Sequence, residues 1–321
     1  MKSLFRAGFV LGIWSMGVHF ASAQTWTQTS APTIPYSSVV SSADGKTLLA
    51  AASQCVYTST NSGVTWISNN VPMGGLSLVE PGRLAISQDG TKLFVCATNQ
   101  EIYISTNSGG AWTEANGAEG MAIAASADGA KITASGNLGI YISTNSGATW
   151  LETTNRILPP VFSIASSADG TRLAAIFGDK GIYTSTNSGE TWSRTGVPVA
   201  NWNSIASSAD GNKLLAGGAG LLCLSTNAGV TWTQANVPNY GWISVASSAD
   251  GSHLTAGSTT VGRLTPVFTS TNSGSTWNQL PFTDSSTNRI QLTSVASSAD
   301  GQSIVATFID SIYRYALPPS I

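Results

Sequence analysis

Charge is scarce in this chain. Of 321 residues only 9% are charged, 14 lysines and arginines against 16 aspartates and glutamates, for a net charge of −2. There is no basic run or patch, which excludes the phosphate-neutralising surface that nucleic-acid binding requires. Histidine is nearly absent. There are two, His19 and His253, and His19 lies in the N-terminal apolar stretch. Histidine-based triads and His-ligated zinc or copper sites are therefore excluded, and neither a metal nor a cofactor is expected. Cysteine is confined to Cys55, Cys96 and Cys223, an odd number without metal-ligand spacing. Cys223 stands where other repeats carry Tyr57, Tyr103, Tyr141 and Tyr183, which marks it as core filler.

Long apolar runs are lacking beyond the first. Lys2 and Arg6 precede an apolar stretch from Ala7 to Phe20, and Ala21-Ser22-Ala23 follows. That order is the pattern of a secretory signal peptide, residues 1–23, cleaved before Gln24. The stretch is too short for a stable anchor. The expectation is a monomer exported to the periplasm or medium, with no membrane span. Disorder is excluded by the 42% of hydrophobic residues and their regular spacing.

What the chain does have is a repeated tryptophan. Trp26, Trp66, Trp112, Trp150, Trp192, Trp232 and Trp277 share one frame, and six of them close a common phrase. It reads STNSGVTW at 59–66, STNSGGAW at 105–112, STNSGATW at 143–150, STNSGETW at 185–192, STNAGVTW at 225–232 and STNSGSTW at 270–277. A second signal, a Ser-x-Asp-Gly turn, places its Asp at 44, 89, 128, 169, 210, 250 and 300. Gly supplies the positive φ such a turn needs, and Asp caps its own backbone. Five residues before each Asp stands an aliphatic, and four before stands Val40 or an alanine, as fits a strand near a crowded axis. A period of about 40 residues built from strand-turn-strand units predicts an all-β fold. The expected fold is a seven-bladed β-propeller of four-stranded blades over residues 24–321. The isolated strand at Trp26 would complete the last blade, which ends at Ile312-Tyr313-Arg314-Tyr315. Each repeat Trp should wedge between neighbouring blades.

The phrase resembles the Asp-box, or BNR repeat, Ser/Thr-x-Asp/Asn-x-Gly-x-x-Trp, with Asn61, Asn107, Asn145, Asn187, Asn227 and Asn272 at the Asp position. The resemblance covers nearly the whole chain after the leader. It implies the fold and not one activity, since Asp-box propellers occur in sialidases, xyloglucan-cleaving hydrolases, sortilin-type receptors and a photosystem II assembly factor. The sialidase type implies six blades, three arginines and a Phe-Arg-Ile-Pro motif, which this chain lacks. The xyloglucanase type implies two propellers, and this chain has one.

Candidate functional residues emerge when the repeats are subtracted. The carboxylates outside repeated positions are Glu80, Glu101, Glu119, Asp179, Asp284 and Asp310. All fall in loops joining second to third strands or one blade to the next. Those two loop sets share one face, and individual loops on a rigid scaffold are where function concentrates. Trp202 and Trp242 stand eight residues before a turn Asp, as does Tyr36, with Tyr240 and Phe162 close by. They are expected to ring the channel mouth, where flat aromatics suit stacking on sugars or other apolar ligands. Arg83 stands where other blades have Ser or Ala, and Lys180 is an unrepeated base on the same face. Arg83 suits an anionic ligand group or a pairing with Glu80 or Glu119, and Lys180 is a base of the kind a lyase would use.

These residues point first to a non-catalytic binding propeller for a glycan or an extracellular protein. Tyr36, Arg83, Lys180, Trp202, Tyr240 and Trp242 are its expected ligand-binding residues. The alternatives are a polysaccharide-active hydrolase or lyase, with Asp179 and Glu119 as the catalytic pair, and an assembly or scaffold factor.

Overall fold

A computed structural model describes residues 25–52, 55–71, 83–97, 99–136, 139–153, 161–178, 181–258, 266–282 and 291–317. The expected leader, 1–23, lies outside them. The described strands form seven separate four-stranded antiparallel sheets, each in simple up-and-down order. Blade 5 shows the unit. Its strands are Trp202–Ser207, Leu214–Gly218, Leu222–Ser225 and Thr233–Gln234, running from the axis outward. The second strand of each complete blade is buried on both faces, because a neighbouring blade covers each. The fourth is short and exposed, as in Thr233–Gln234. Such short outer edges offer little to a second sheet.

The expected closure is present. Thr27 and Gln28 pair with Arg314 and Tyr313, so the N-terminal strand is the outer strand of the seventh blade. A second closure was not foreseen. In every first turn the residue before the Asp donates its backbone N–H to the same residue of the next blade. The series runs Ala43 to Gln88, Gln88 to Ala127, Ala127 to Ala168, Ala168 to Ala209, Ala209 to Ala249, Ala249 to Ala299, and Ala299 back to Ala43, each at 2.7 or 2.8 Å. Seven peptide hydrogen bonds thus form a closed cycle around the axis.

Seven hydrophobic clusters fill the seams. Each joins two successive blades, as where Ala296, Val305 and Ile312 of blade 7 meet Val39, Leu48 and Ala50 of blade 1. Each of the seven repeat tryptophans packs against one seam cluster, half-buried, as the wedge expectation requires. The indoles of Trp150, Trp192 and Trp232 each donate to the carbonyl of the glycine three residues earlier, at 3.0 Å. In the phrase itself Ser59 Oγ donates to Asn61 Oδ1 (2.9 Å) and accepts from Gly63 N–H (2.8 Å), while Thr65 N–H donates to Asn61 Oδ1 (2.9 Å). Ser62 and Gly63 take φ of 59° and 81°. A Cβ on Gly63 would lie 2.9 Å from Thr29, the residue after the outer strand of the seventh blade, so the glycine is fixed by conformation and by space.

Both turn sets, first-to-second and third-to-fourth, lie at one end of the ring. The second-to-third loops and the blade-to-blade loops lie at the other, the loop face. The described inner strands Tyr36–Ser41, Val161–Ser166, Trp202–Ser207, Trp242–Ser247 and Leu292–Ser297 each shift register after their first residue, as Trp202 pairs Gly218 but Ser204 pairs Gly217. A bulge thus re-aims one side chain at the loop-face end of each.

Candidate binding face

The aromatics expected at the channel mouth are not there to be touched. Tyr36 is 1% exposed, Trp202 4% and Trp242 0%. The bulge turns the residue eight before the Asp into the seam, and Val161 and Leu292 in the same series are buried too. Their polar atoms are handled locally. Tyr36 Oη donates to the Pro32 carbonyl at 2.9 Å, and Trp202 Nε1–H donates to the Pro198 carbonyl at 3.2 Å. Each proline stands four residues before its aromatic. Pro238 stands four before Trp242, but its carbonyl accepts Tyr240 N–H at 2.9 Å, and the Trp242 indole N–H is left buried without an acceptor. This Pro-x-x-x-aromatic spacing was legible in the sequence and is the signal that these rings are structural.

Their size follows from a cross-strand exchange of volume. Tyr36 pairs Ala52, Trp202 pairs Gly218 and Trp242 pairs Ser258. In blades 4 and 7 the order is reversed: Val161 pairs Phe177 and Leu292 pairs Phe308. In these five blades one large ring fills the seam, on whichever strand carries it. The expected stacking platform of Tyr36, Trp202 and Trp242 is therefore corrected to core packing.

The other expected residues are scattered. Tyr240 is half-buried, its ring 5.8 Å from Trp242 and 6.1 Å from Phe268. Arg83 is half-buried and its Nη1 donates to the Ala97 carbonyl of its own blade at 3.0 Å, so this guanidinium works within the loop-face end of blade 2. Glu119 lies in the loop from blade 2 to blade 3. A Cβ on Gly136 would come 3.0 Å from its Oε2, and that oxygen is buried without a hydrogen-bond partner. Asp179 and Lys180 lie outside the described residues, as do Glu80 and Asp284, so the Asp179–Glu119 pair has no geometry to report. The remaining loop-face carboxylates pair locally. Tyr103 Oη donates to Glu101 Oε2 at 2.6 Å, which holds Glu101 below the usual carboxylate range and pushes Tyr103 up to about 12. Among the described residues no three His, Cys, Asp or Glu side chains are grouped to hold a metal, and no helix is long and apolar enough to cross a membrane.

With this architecture and these burials in place, solved structures of the same fold can be compared. The likeness is one of fold. The GH74 xyloglucanase from Xanthomonas campestris superposes with a TM-score of 0.71 at 14% identity, over 91% of this chain and 53% of that one. YCF48 from Cyanidioschyzon merolae superposes with a TM-score of 0.67 at 15% identity, over 92% of this chain and 100% of that one. A YCF48 bound to a D1 peptide gives 0.68 at 12% identity, over 91% and 96%. This chain thus spans about half the length of the xyloglucanase. No protein-family model and no curated sequence matches it.

The polar groups of the turn face are engaged with one another. Each turn Asp accepts from a serine hydroxyl two residues earlier and from a backbone N–H two residues later. Those bonds, the hydroxyl first, bring Asp169 and Asp250 down to about 2. Lys92 Nζ reaches the Asp128 carbonyl of the next blade at 2.8 Å, and Lys213 Nζ reaches the Asp250 carbonyl at 2.8 Å. His253 occupies the same series, half-buried, with its Nε2 3.3 Å from Gln302 Nε2 of blade 7. On the axis at this end lies a cavity of about 180 Å³, lined by Ser41, Ser166, Ser207, Ser247 and Ser297 among others. Those five hydroxyls each donate to the carbonyl of the following serine.

The loop face is different. Of the large apolar side chains exposed among the described residues, Phe162 (38%) and Val199 (66%) lie there, on unrepeated loop-face positions, while Val64 (63%) and Val230 (74%) lie in the repeated turns at the other end. Phe162 is the bulged residue of its inner strand, the one candidate aromatic that the bulge turns outward. Val199 lies in the loop from blade 4 to blade 5.

Proposed function

We propose that the protein is an exported, non-catalytic binding propeller that holds a segment of a partner protein on its loop face. The observation that carries this reading is the exposure of Phe162 and Val199 on that face while the larger aromatics are buried beneath it. Sugar recognition uses flat aromatic faces open to the ligand. Aliphatic and aromatic side chains projecting singly suit the side chains of a protein partner. Support comes from the neighbours of one-propeller length, one of which is bound to a peptide. The proposed export rests on the leader pattern of residues 1–23.

A photo-crosslinking residue placed at position 199, and as a control at exposed Val230 on the turn face, tests the reading in the native host. Protein adducts are expected at 199 and not at 230. Fractionation should find the chain outside the cytoplasm with Gln24 as its first residue. Release of soluble sugar from a polysaccharide panel overturns the reading. So does glycan-array binding that Val199→Asp abolishes.

A further inference from the structure

One sector of the loop face is described without interruption, from the outer strand of blade 4 to the inner strand of blade 6. Its loops are 195–203, 218–222 and 235–243, and none of these residues is Asp, Glu, Lys, Arg or His. The charges of blade 5, Asp210 and Lys213, sit in its first turn at the opposite end, and Arg194, the last residue of the blade 4 outer strand, lies with its guanidinium 6.0 Å from the Tyr183 ring of its own blade. Apolar and amide groups fill the sector instead. Val199, Asn201, Ala219 and Asn239 are exposed, and Asn203 and Tyr240 are half-exposed.

The three loops are laced to one another. Ala219 N–H donates to the Asn201 carbonyl at 2.9 Å, and Gly220 N–H donates to the Tyr240 carbonyl at 3.0 Å. Ala219 also bridges Gly241, and Asn203 Nδ2 donates to the Trp242 carbonyl at 2.7 Å. Gly220 holds a φ of 76°, and a side chain there would strike Asn239, so the crossing of loops depends on that glycine. Below lie the buried rings of Trp202 and Trp242. A surface fixed in this way loses little entropy when a partner docks.

We propose that this sector is the docking surface for an uncharged, apolar peptide segment of a partner protein; the proposal rests on the protein-binding reading above. Charge complementarity selects the partner. A charged segment laid on the sector would give up hydration with no opposite charge in these three loops to receive it. An uncharged segment can bury its side chains against Val199 and Ala219 and pair its backbone with the asparagine amides. A glycan would need an open aromatic shelf, and the indoles that would supply one are beneath the loops.

Selection of random short peptides from a phage-displayed library on the folded protein tests this, with salt dependence read on the enriched peptides. The expected result is enrichment of uncharged, apolar sequences whose affinity changes less than twofold between low and high salt. Val199→Asp and Ala219→Asp, both at exposed positions that leave the fold intact, should weaken those peptides tenfold or more. Enrichment of charged peptides, or binding indifferent to both variants, overturns the sector. If such peptides crosslink elsewhere on the loop face, the protein-binding reading survives it. No enriched peptide, together with hits on a glycan array, overturns both. No enrichment of any kind overturns the peptide proposal.

Discussion

Trp242 is the sharpest test of whether the outlying tryptophans serve the seam or a ligand. It is fully buried and pairs across the inner strands with Ser258, which is also fully buried. In the next blade the corresponding pair is Leu292 with Phe308. Trp242→Leu removes the indole and keeps an aliphatic stub. Complete removal of a buried Trp costs about 3–5 kcal/mol, so the partial removal should cost about 2 kcal/mol. Ser258→Phe alone inserts a ring against the indole and loses the Ser258 Oγ bond to the Pro266 carbonyl, an overpacking that costs about 1–3 kcal/mol. Independent effects would sum to about 3–5 kcal/mol in the double variant. If this seam requires one large ring on either strand, the double variant recreates the blade 7 pair and loses no more than about 1.5 kcal/mol. The coupling is then about 1.5 kcal/mol or more in favour of the pair. Guanidinium unfolding followed by tryptophan fluorescence gives the midpoints, with the slope checked for constancy. A double variant as unstable as the sum of the singles refutes the exchange of volume. A Trp242→Leu variant with an unchanged midpoint refutes the structural role of the ring.

Three further outcomes are expected. Ala209→Pro should fit its turn, since it holds the second position of a turn closed by Gly211 N–H to Ser208 O, but it removes the N–H that reaches Ala249; the loss should be about 1 kcal/mol, read as a lower unfolding midpoint. Tyr36→Phe keeps the ring and removes only the donor to Pro32, which should cost about 0.5–1.5 kcal/mol by the same measurement. Acid should weaken the turn face: the depressed carboxyls of Asp169 and Asp250 contribute stability above pH about 4 that is lost as pH falls toward about 2. In a circular-dichroism titration the Asp169→Asn/Asp250→Asn variant should therefore lose less stability across that window than the parent.

The architecture was legible because it repeats. Seven Asp-Gly turns gave the blade number, and the unpaired strand at Trp26 gave the closure, since each is local chemistry copied along the chain. The cyclic hydrogen bonds were not legible, because a backbone N–H at Ala43 or Ala209 leaves no mark in the side-chain alphabet. Tyr36, Trp202 and Trp242 were placed in the right strand position and on the wrong side of the surface. Their exposure is set by a bulge and by the size of Ala52, Gly218 and Ser258 across the strand, and only the prolines at 32, 198 and 238 gave it away in advance. The loop-face carboxylates could not be read further. Asp179 and Glu119 belong to unrepeated loops, where no second copy fixes a register.

The contrast between the two ends of the ring bears on where binding can reside. At the turn face the serine hydroxyls, the Asp carboxylates, the alanine N–H groups and the long cations Lys92 and Lys213 are all committed to partners within or between blades. A ligand there would have to displace bonds on which the closure of the ring depends, and a substitution that improved binding would weaken a seam. The loop face carries no such obligation in its exposed side chains. Val199, Ala219 and Asn239 stand on backbone that is laced independently of them. They can change without opening the ring, which is the physical condition for a surface whose partner is set by its own residues rather than by the fold.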